Sequence, residues 1–206
     1  MPLDASAGIR LVLSSAASRA TTARMGGVLA LGLLVGACAG SPLDTFDLNA
    51  ATPPPARPLR AQLRIAEPIA GVDLDSDRIL VRSGPQQIAI LAGAKWPGRL
   101  PLIVQARLNQ TFQNARLVGQ VGRNDAAPYE LDIDIRTFEL DVSQSRVKVD
   151  FAAKLVASNG GRTLAARVFT AEIPVASTAP AAVSAALDSA LSSVMTEIVA
   201  FVSRSI

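Results

Sequence analysis

From Glu130 to Leu155 the chain alternates apolar and polar residues in runs that suit a sheet with one dry face and one wet face. Leu131, Ile133 and Ile135 stand between Glu130, Asp132, Asp134 and Arg136, and Val147, Val149, Phe151, Ala153 and Leu155 stand among Lys148, Asp150 and Lys154. Between the two runs the apolar residues move from odd to even positions, at Phe138, Leu140 and Val142. A one-residue slip would turn a flat strand inside out, so a β-bulge or bend is expected near Arg136-Thr137. Ser143-Gln144-Ser145 then joins two long strands as a hairpin turn.

The flanking sequence adds to this sheet. Leu63-Arg64-Ile65 and Arg78 to Arg82 read as short strands around a turn-rich loop, Pro68 to Asp77. Ser83-Gly84-Pro85 turns the chain into a third short strand, Gln87 to Leu91. From Pro101 the period changes: Val104, Leu108, Phe112 and Ala115 recur at helical spacing, behind a proline tolerated in the first turn. Asn159-Gly160-Gly161 predicts another hairpin, and Leu164 to Ile173 a last strand, either buried on both faces or at an edge. Val183, Leu187, Ala190, Leu191, Val194, Ile198 and Phe201 form an apolar stripe on a long closing helix, about Pro180 to Val202. The stripe suits packing on a sheet, because its polar face carries serines rather than the basic residues of a membrane-surface helix. The fold class is therefore α+β: a two-layer domain with a mostly antiparallel sheet and two amphipathic helices.

The N-terminus is an address. Arg10, Arg19 and Arg24 supply a basic n-region, Val28 to Val35 an apolar h-region, and Gly36-Ala37 the small residues that precede a signal-peptidase cut. Met25 to Ala37 is 13 residues, short of the roughly 20 needed to cross a bilayer. Starting instead at Met25 would forfeit all three arginines. Leu34-Val35-Gly36-Ala37-Cys38 resembles a bacterial lipobox, in which the cysteine thiol takes a diacylglycerol and, as the new N-terminus, an N-acyl chain. The competing reading is an ordinary cleavable signal with an incidental cysteine. No second cysteine exists to pair with Cys38, so lipidation is the expectation. Residues 1–37 are read as signal peptide, 38–61 as the lipidated N-terminus and a flexible linker, and 62–206 as the domain. Pro42, Pro53-Pro54-Pro55 and Pro58 make the linker a tether with long reach. Within it, Thr45-Phe46-Asp47-Leu48 either pairs with a sheet edge or is solvated.

Removing residues 1–37 leaves 169 residues with 17 basic and 16 acidic side chains. The balance gives no reason to expect nucleic acid as a partner. The chain has no histidine, and acylation would remove its one thiol, so histidine catalysis, cysteine nucleophiles and the usual zinc sites drop out. Asp73-Leu74-Asp75-Ser76-Asp77 begins like a calcium loop, but Arg78 stands where that loop needs glycine and Gly84 where it needs glutamate. Glu130, Asp132 and Asp134 are better read as the wet side of a strand than as paired catalytic acids. No catalytic residue, metal site or cofactor is expected beyond the lipid at Cys38. Trp96, the sole tryptophan, is either a core plug or a partner-binding residue.

Thr45-Phe46-Asp47-Leu48 soon after the cysteine, Leu74 to Arg82, Trp96 before a helix, the Leu131-Asp132-Ile133-Asp134-Ile135 strand and the closing helix together resemble the ABC-type transport auxiliary lipoproteins. These are the PqiC-like lipoproteins of MCE-type lipid transport systems. The resemblance implies a non-enzymatic component of a transporter of phospholipid or other hydrophobic molecules, working with an MCE-family substrate-binding protein and an ABC permease and ATPase. The family often carries an aromatic near Ile88-Ala89-Ile90-Leu91, and this chain has none there. Residue 39 is alanine rather than the aspartate associated with inner-membrane retention, so the lipid anchor is expected in the outer membrane, facing the periplasm. A homo-oligomer is compatible with this reading. The alternative function is an outer-membrane assembly lipoprotein, serving lipopolysaccharide or protein insertion.

Overall fold

The computed structural model describes residues 43–117, 121–122 and 126–206. In chain order its elements are β1 (Asp44–Thr45), β2 (Leu63–Ile65), β3 (Ile69–Ala70), β4 (Arg78–Gly84), β5 (Gln87–Lys95), α1 (Leu100–Asn114), β6 (Val121–Gly122), β7 (Tyr129–Asp141), β8 (Arg146–Ala157), β9 (Arg162–Pro174) and α2 (Pro180–Ser205).

The sheet is organised around β7. One edge of β7 pairs antiparallel with β8 along its whole length, from Tyr129 opposite Ala157 to Asp141 opposite Arg146, and β9 continues the meander. The other edge carries three short strands laid end to end, all parallel: β2 on Tyr129–Leu131, β3 on Asp134–Ile135 and β4 on Glu139–Asp141. The sheet is therefore mixed, with antiparallel pairs in the majority. The register of β7 against β8 shifts between Ile135 and Thr137, which is the expected bulge. It lets Leu131, Ile133 and Ile135 share the buried face with Phe138 and Leu140 despite the change of phase.

Turn chemistry closes the hairpins. Ser143 Oγ and the Gln144 amide both donate to Asp141 Oδ1, at 2.6 and 3.1 Å, and Ser145 takes a positive φ of 49°. Gly160 and Gly161, at φ of 83° and 65°, supply the left-handed residues between β8 and β9. β4 and β5 meet through Pro85-Gln86, so β5 runs on past the predicted Leu91 to Lys95.

Both helices begin with proline near the first turn and lack a side-chain N-cap. α1 ends in a Schellman arrangement: the Arg116 amide bonds to Gln113 O at 2.9 Å, the Leu117 amide to Phe112 O at 3.1 Å, and Arg116 sits at φ 66°. α2 is long and apolar enough to cross a membrane by length and composition alone. Its stripe instead lies on β8 and β9, with Val183, Leu187, Ala190, Leu191, Val194 and Ile198 all buried and Phe201 edge-on to Phe169 at 5.6 Å. Thr111 of α1 reaches Met195 of α2, Oγ1 to Sδ, at 3.5 Å.

The linker expected over 38–61 is corrected by the packing of its larger part. β1 pairs parallel with the end of β5, Asp44 opposite Ala94, so the Thr45–Leu48 island does join a sheet edge. From there the chain runs as an extended strap across the helices. Leu48, Ala51 and Leu59 are buried; the Ala51 amide donates to Thr111 Oγ1 at 3.0 Å, Asn114 Nδ2 to Ala51 O at 2.8 Å, and the Ala56 amide to Ala115 O at 3.1 Å. Proline suits such a path, because an extended strap lying on side chains has no ladder to break. Pro42–Ile206 forms one compact unit, so the domain begins about twenty residues before the predicted 62.

Candidate functional site

Trp96 follows directly on β5 and is 1% exposed. Its amide donates to Asp77 O at 2.8 Å, and its ring meets Phe138 edge-on at 5.9 Å and 72°. Phe138 in turn stacks on Phe151 at 6.4 Å. This aromatic column closes the core where β4, β5 and β7 meet. The predicted partner-binding role of Trp96 thus lacks an exposed surface, and the indole occupies the plug position. Its Nε1 is buried without a hydrogen-bond partner. Cys38 falls outside the described residues.

The acidic side of β7 faces away from the helices. Asp132 stands opposite Lys154 in the ladder, and Glu130 is ion-paired with Arg64. Burial and then the neighbouring Glu130 push the Asp132 carboxyl above its ordinary range, while Arg64 and Lys154 pull it down. Asp132, Asp134, Ile69 and Lys154 line a shallow pocket of about 300 Å³ on this face. Acids and bases interleave here as cross-strand partners, and Glu139 is buried under Arg82, which grips both its oxygens at 2.5 and 3.0 Å.

Two of the three aspartates of the Asp73–Asp77 turn carry ion pairs within the protein. Arg99, just before α1, holds Asp75 through two hydrogen bonds of 2.8 Å, and Asp77 pairs with Arg78. Among the described residues no group of three histidine, cysteine, aspartate or glutamate side chains is placed to hold a metal.

Two surfaces remain that sequence reasoning missed. The strap makes one wall of a groove of about 410 Å³, with Pro53–Ala56 facing Val199, Ala200 and Ser203 of α2, and Arg57 and Arg204 at its margins. No local signal reveals it, because the walls are more than 140 residues apart in sequence. The second surface is the outer edge of β5. β1 covers only Ala94 and Lys95, so Gln87–Gly93 has no strand partner on that side among the described residues. Ile88 and Ile90 stand 45% and 54% exposed on the face they share with Arg82 and Leu80. What the sequence does show is that Gln87–Lys95 carries no acid and a single base.

A family profile described as ABC-type transport auxiliary lipoprotein component matches residues 45–199. An uncharacterized protein of Bradyrhizobium diazoefficiens is 32% identical over 190 residues, covering 86% of this chain and 50% of that protein. The chain thus spans about half the length of the curated relative it matches. A crystal structure of a Xanthomonas campestris protein, described as of family DUF330, superposes with a TM-score of 0.73 at 34% identity, covering 79% of this chain and 95% of the other. A second crystal structure, of an uncharacterized protein, reaches 0.63 at 13% identity over 77% of this chain and 97% of its own, a likeness of fold alone. The profile starts at Thr45, inside β1, and ends within α2, so strap, sheet and both helices lie within it. From β1 to α2, this chain belongs to the family of ABC-type transport auxiliary lipoprotein components.

Proposed function

We propose that the chain is acylated at Cys38 and serves, from the periplasmic face of the outer membrane, as a non-enzymatic component of an MCE/ABC-type transporter of phospholipid or another hydrophobic molecule. Its partners in this reading are an MCE-family substrate-binding protein and an ABC permease with its ATPase. The observation that carries it is the family match over residues 45–199, which begins seven residues after a cysteine in lipobox context. The chemistry agrees: Glu130, Asp132, Glu139 and Asp141 of β7 each stand opposite a base on a neighbouring strand, and the groove beside α2 is basic-rimmed.

Four measurements test it. Mass spectrometry of the mature protein should show N-terminal Cys38 with diacylglyceryl and acyl masses, and Cys38→Ala should leave the membrane fraction. Density-gradient fractionation should place the wild-type protein with the outer membrane; co-migration with the inner membrane would refute that placement. Crosslinking in cells should recover an MCE protein or its permease, and recovery of a lipopolysaccharide or protein-insertion machine would replace transport with assembly. Asp132→Ala with Asp134→Ala should leave cellular function nearly intact, and its complete loss in a folded variant would restore an enzymatic reading.

A further inference from the structure

The groove between the strap and α2 has two walls of different make. On α2 it is lined by Thr196, Val199, Ala200, Ser203 and Arg204, spaced three and four apart along one face of the helix. Ala200 and Ser203 are small side chains at places where leucine would fill the gap. The hydroxyls of this wall are spent on the helix itself: Thr196 Oγ1 donates to Ser192 O at 2.8 Å and Ser203 Oγ to Val199 O at 2.9 Å. The wall therefore presents mainly carbon. On the strap, Pro53, Pro54 and Pro55 have fixed φ and no amide hydrogen to offer. Just beyond them the Ala56 amide is tied to Ala115 O at 3.1 Å, so the wall is ordered before any ligand arrives.

The rim carries one sign of charge. Arg57 and Arg204 line the groove and are exposed, and no carboxylate lines it. The two acids of α2 are engaged elsewhere, Asp188 with Asn49 and Glu197 with Arg167. From Leu48 to Gln62 the strap has two arginines and no acid. Among the described residues neither Arg57 nor Arg204 has an ion pair or a side-chain hydrogen bond. Arg204 sits in the last turn of α2, where the partial negative charge of the helix end favours a cation. Arg57 has no such use within the fold. A guanidinium binds phosphate through paired N–H donors, so the rim is complementary to an anionic head and the walls to a hydrocarbon tail. The volume, about 410 Å³, falls in the range of about 300–1,000 Å³ usual for ligand pockets. A methylene fills about the space of a water molecule in the liquid, about 30 Å³, so the groove takes on the order of fourteen carbons. That is one acyl chain and not two.

We infer that the groove between Pro53–Arg57 and the C-terminal part of α2 binds a monoacyl phospholipid, with its chain along Val199, Ala200 and Ser203 and its phosphate on Arg57 and Arg204. The inference rests on the transport reading above for the class of molecule, and it names where on this chain and in what form that molecule is held.

The test uses the full chain purified in dodecyl maltoside, irradiated with lysophosphatidylglycerol that carries a diazirine on its palmitoyl chain, and adducts are located by tandem mass spectrometry. They should concentrate on the peptides holding Pro53–Ala56 and Val199–Ser203, and unlabelled lysophosphatidylglycerol should compete them away. Arg57→Gln with Arg204→Gln, both at exposed positions, should lower groove labelling several-fold, and Ala200→Leu should lower it by filling the wall. A monoacylglycerol probe, with no charge on its head, should label the groove several-fold less. Adducts that fall elsewhere on the protein overturn the inference. So does groove labelling that both variants leave unchanged while keeping the wild-type melting temperature. Labelling by diazirine palmitate as strong as by lysophosphatidylglycerol assigns the groove to a fatty acid and overturns the phospholipid. The transporter partner is read separately, by crosslinking in cells. An MCE partner recovered with an unlabelled groove overturns this site and leaves transport standing; a labelled groove with an assembly machine recovered supports this site and overturns transport.

Discussion

Asn49 and Asp188, 139 residues apart, are joined by two hydrogen bonds: the Asn49 amide donates to Asp188 Oδ1 at 2.6 Å and its side-chain Nδ2 to Oδ2 at 3.0 Å. This contact pins the strap to α2 at a solvent-accessible position. Asp188→Ala should cost about 1 kcal/mol, below the ~1.5–3 kcal/mol of charge-assisted bonds because water competes for both groups. Its clearer readout is local. Trypsin should cut after Arg60 several-fold faster than in the wild type, while the melting temperature falls only slightly. An unchanged cleavage rate would show that the strap is held by Leu48, Ala51 and the Thr111 hydrogen bond without help from Asp188.

Glu139 is 6% exposed and its carboxylate is held by Arg82. Arg82→Met strands that carboxylate, at a cost of about 2 kcal/mol, below the ~3–5 for a fully buried pair because Arg82 is partly solvated. The double variant Arg82→Met with Glu139→Leu should regain most of the loss, since two apolar side chains need no partner. Urea denaturation of both variants measures the difference, and a double variant no better than the single one would contradict it.

Stability should fall with acid. Hydrogen bonds from Arg99 hold the Asp75 carboxyl below its ordinary range, and the Ser143 hydroxyl does the same for Asp141. Such groups stabilise the fold above the unfolded-state value of about 3.9, and the benefit disappears as pH drops through their lower folded values. Asp132 has the opposite sign, because burial and Glu130 raise its carboxyl and its charged form opposes folding at neutral pH. Asp132→Asn should therefore denature at higher urea than wild type at pH 7, with the gap closing once both folded and unfolded Asp132 are protonated, below about pH 4. A gap that persists unchanged at low pH would mean the gain has a packing origin.

Arg116 closes α1 in a left-handed conformation usually taken by glycine. Arg116→Gly should stabilise the protein by about 0.5–1 kcal/mol, the relief of the left-handed strain less the added entropy of the unfolded chain. Thermal unfolding decides it, and a lower melting temperature would imply that the Arg116 side chain holds something more than the turn.

Periodicity exposed most of the fold. The bulge near Arg136, the three hairpins and both helices follow from local alternation and turn chemistry, and those signals are short-range. The partners of Leu63–Ile65, Ile69–Ala70 and Arg78–Gly84 do not, because parallel pairing with β7 leaves no mark in any of the segments involved. The strap misled for a related reason. Its prolines and low periodicity are those of a free linker, and its fixing groups, Thr111, Asn114 and Asp188, lie 60 to 139 residues away. Trp96 was ambiguous between plug and docking residue because sequence does not reveal that Phe138 occupies the space beside it. Ile88 and Ile90 are visible in the sequence as apolar but not as exposed, since exposure depends on what packs against their face of the sheet.

The three parallel strands on one edge of β7 have a consequence for assembly in time. A chain emerging N-terminus first presents residues 63–84 long before residues 129–141 exist to receive them, so the early half has nothing to zip onto. Such non-local pairing slows folding and lengthens the interval during which strand edges stay open. A fragment ending at residue 126 should remain unstructured, and addition of residues 127–206 should restore the sheet by supplying β7 as a common spine. The domain is indivisible between its early parallel strands and the β7 spine that receives them.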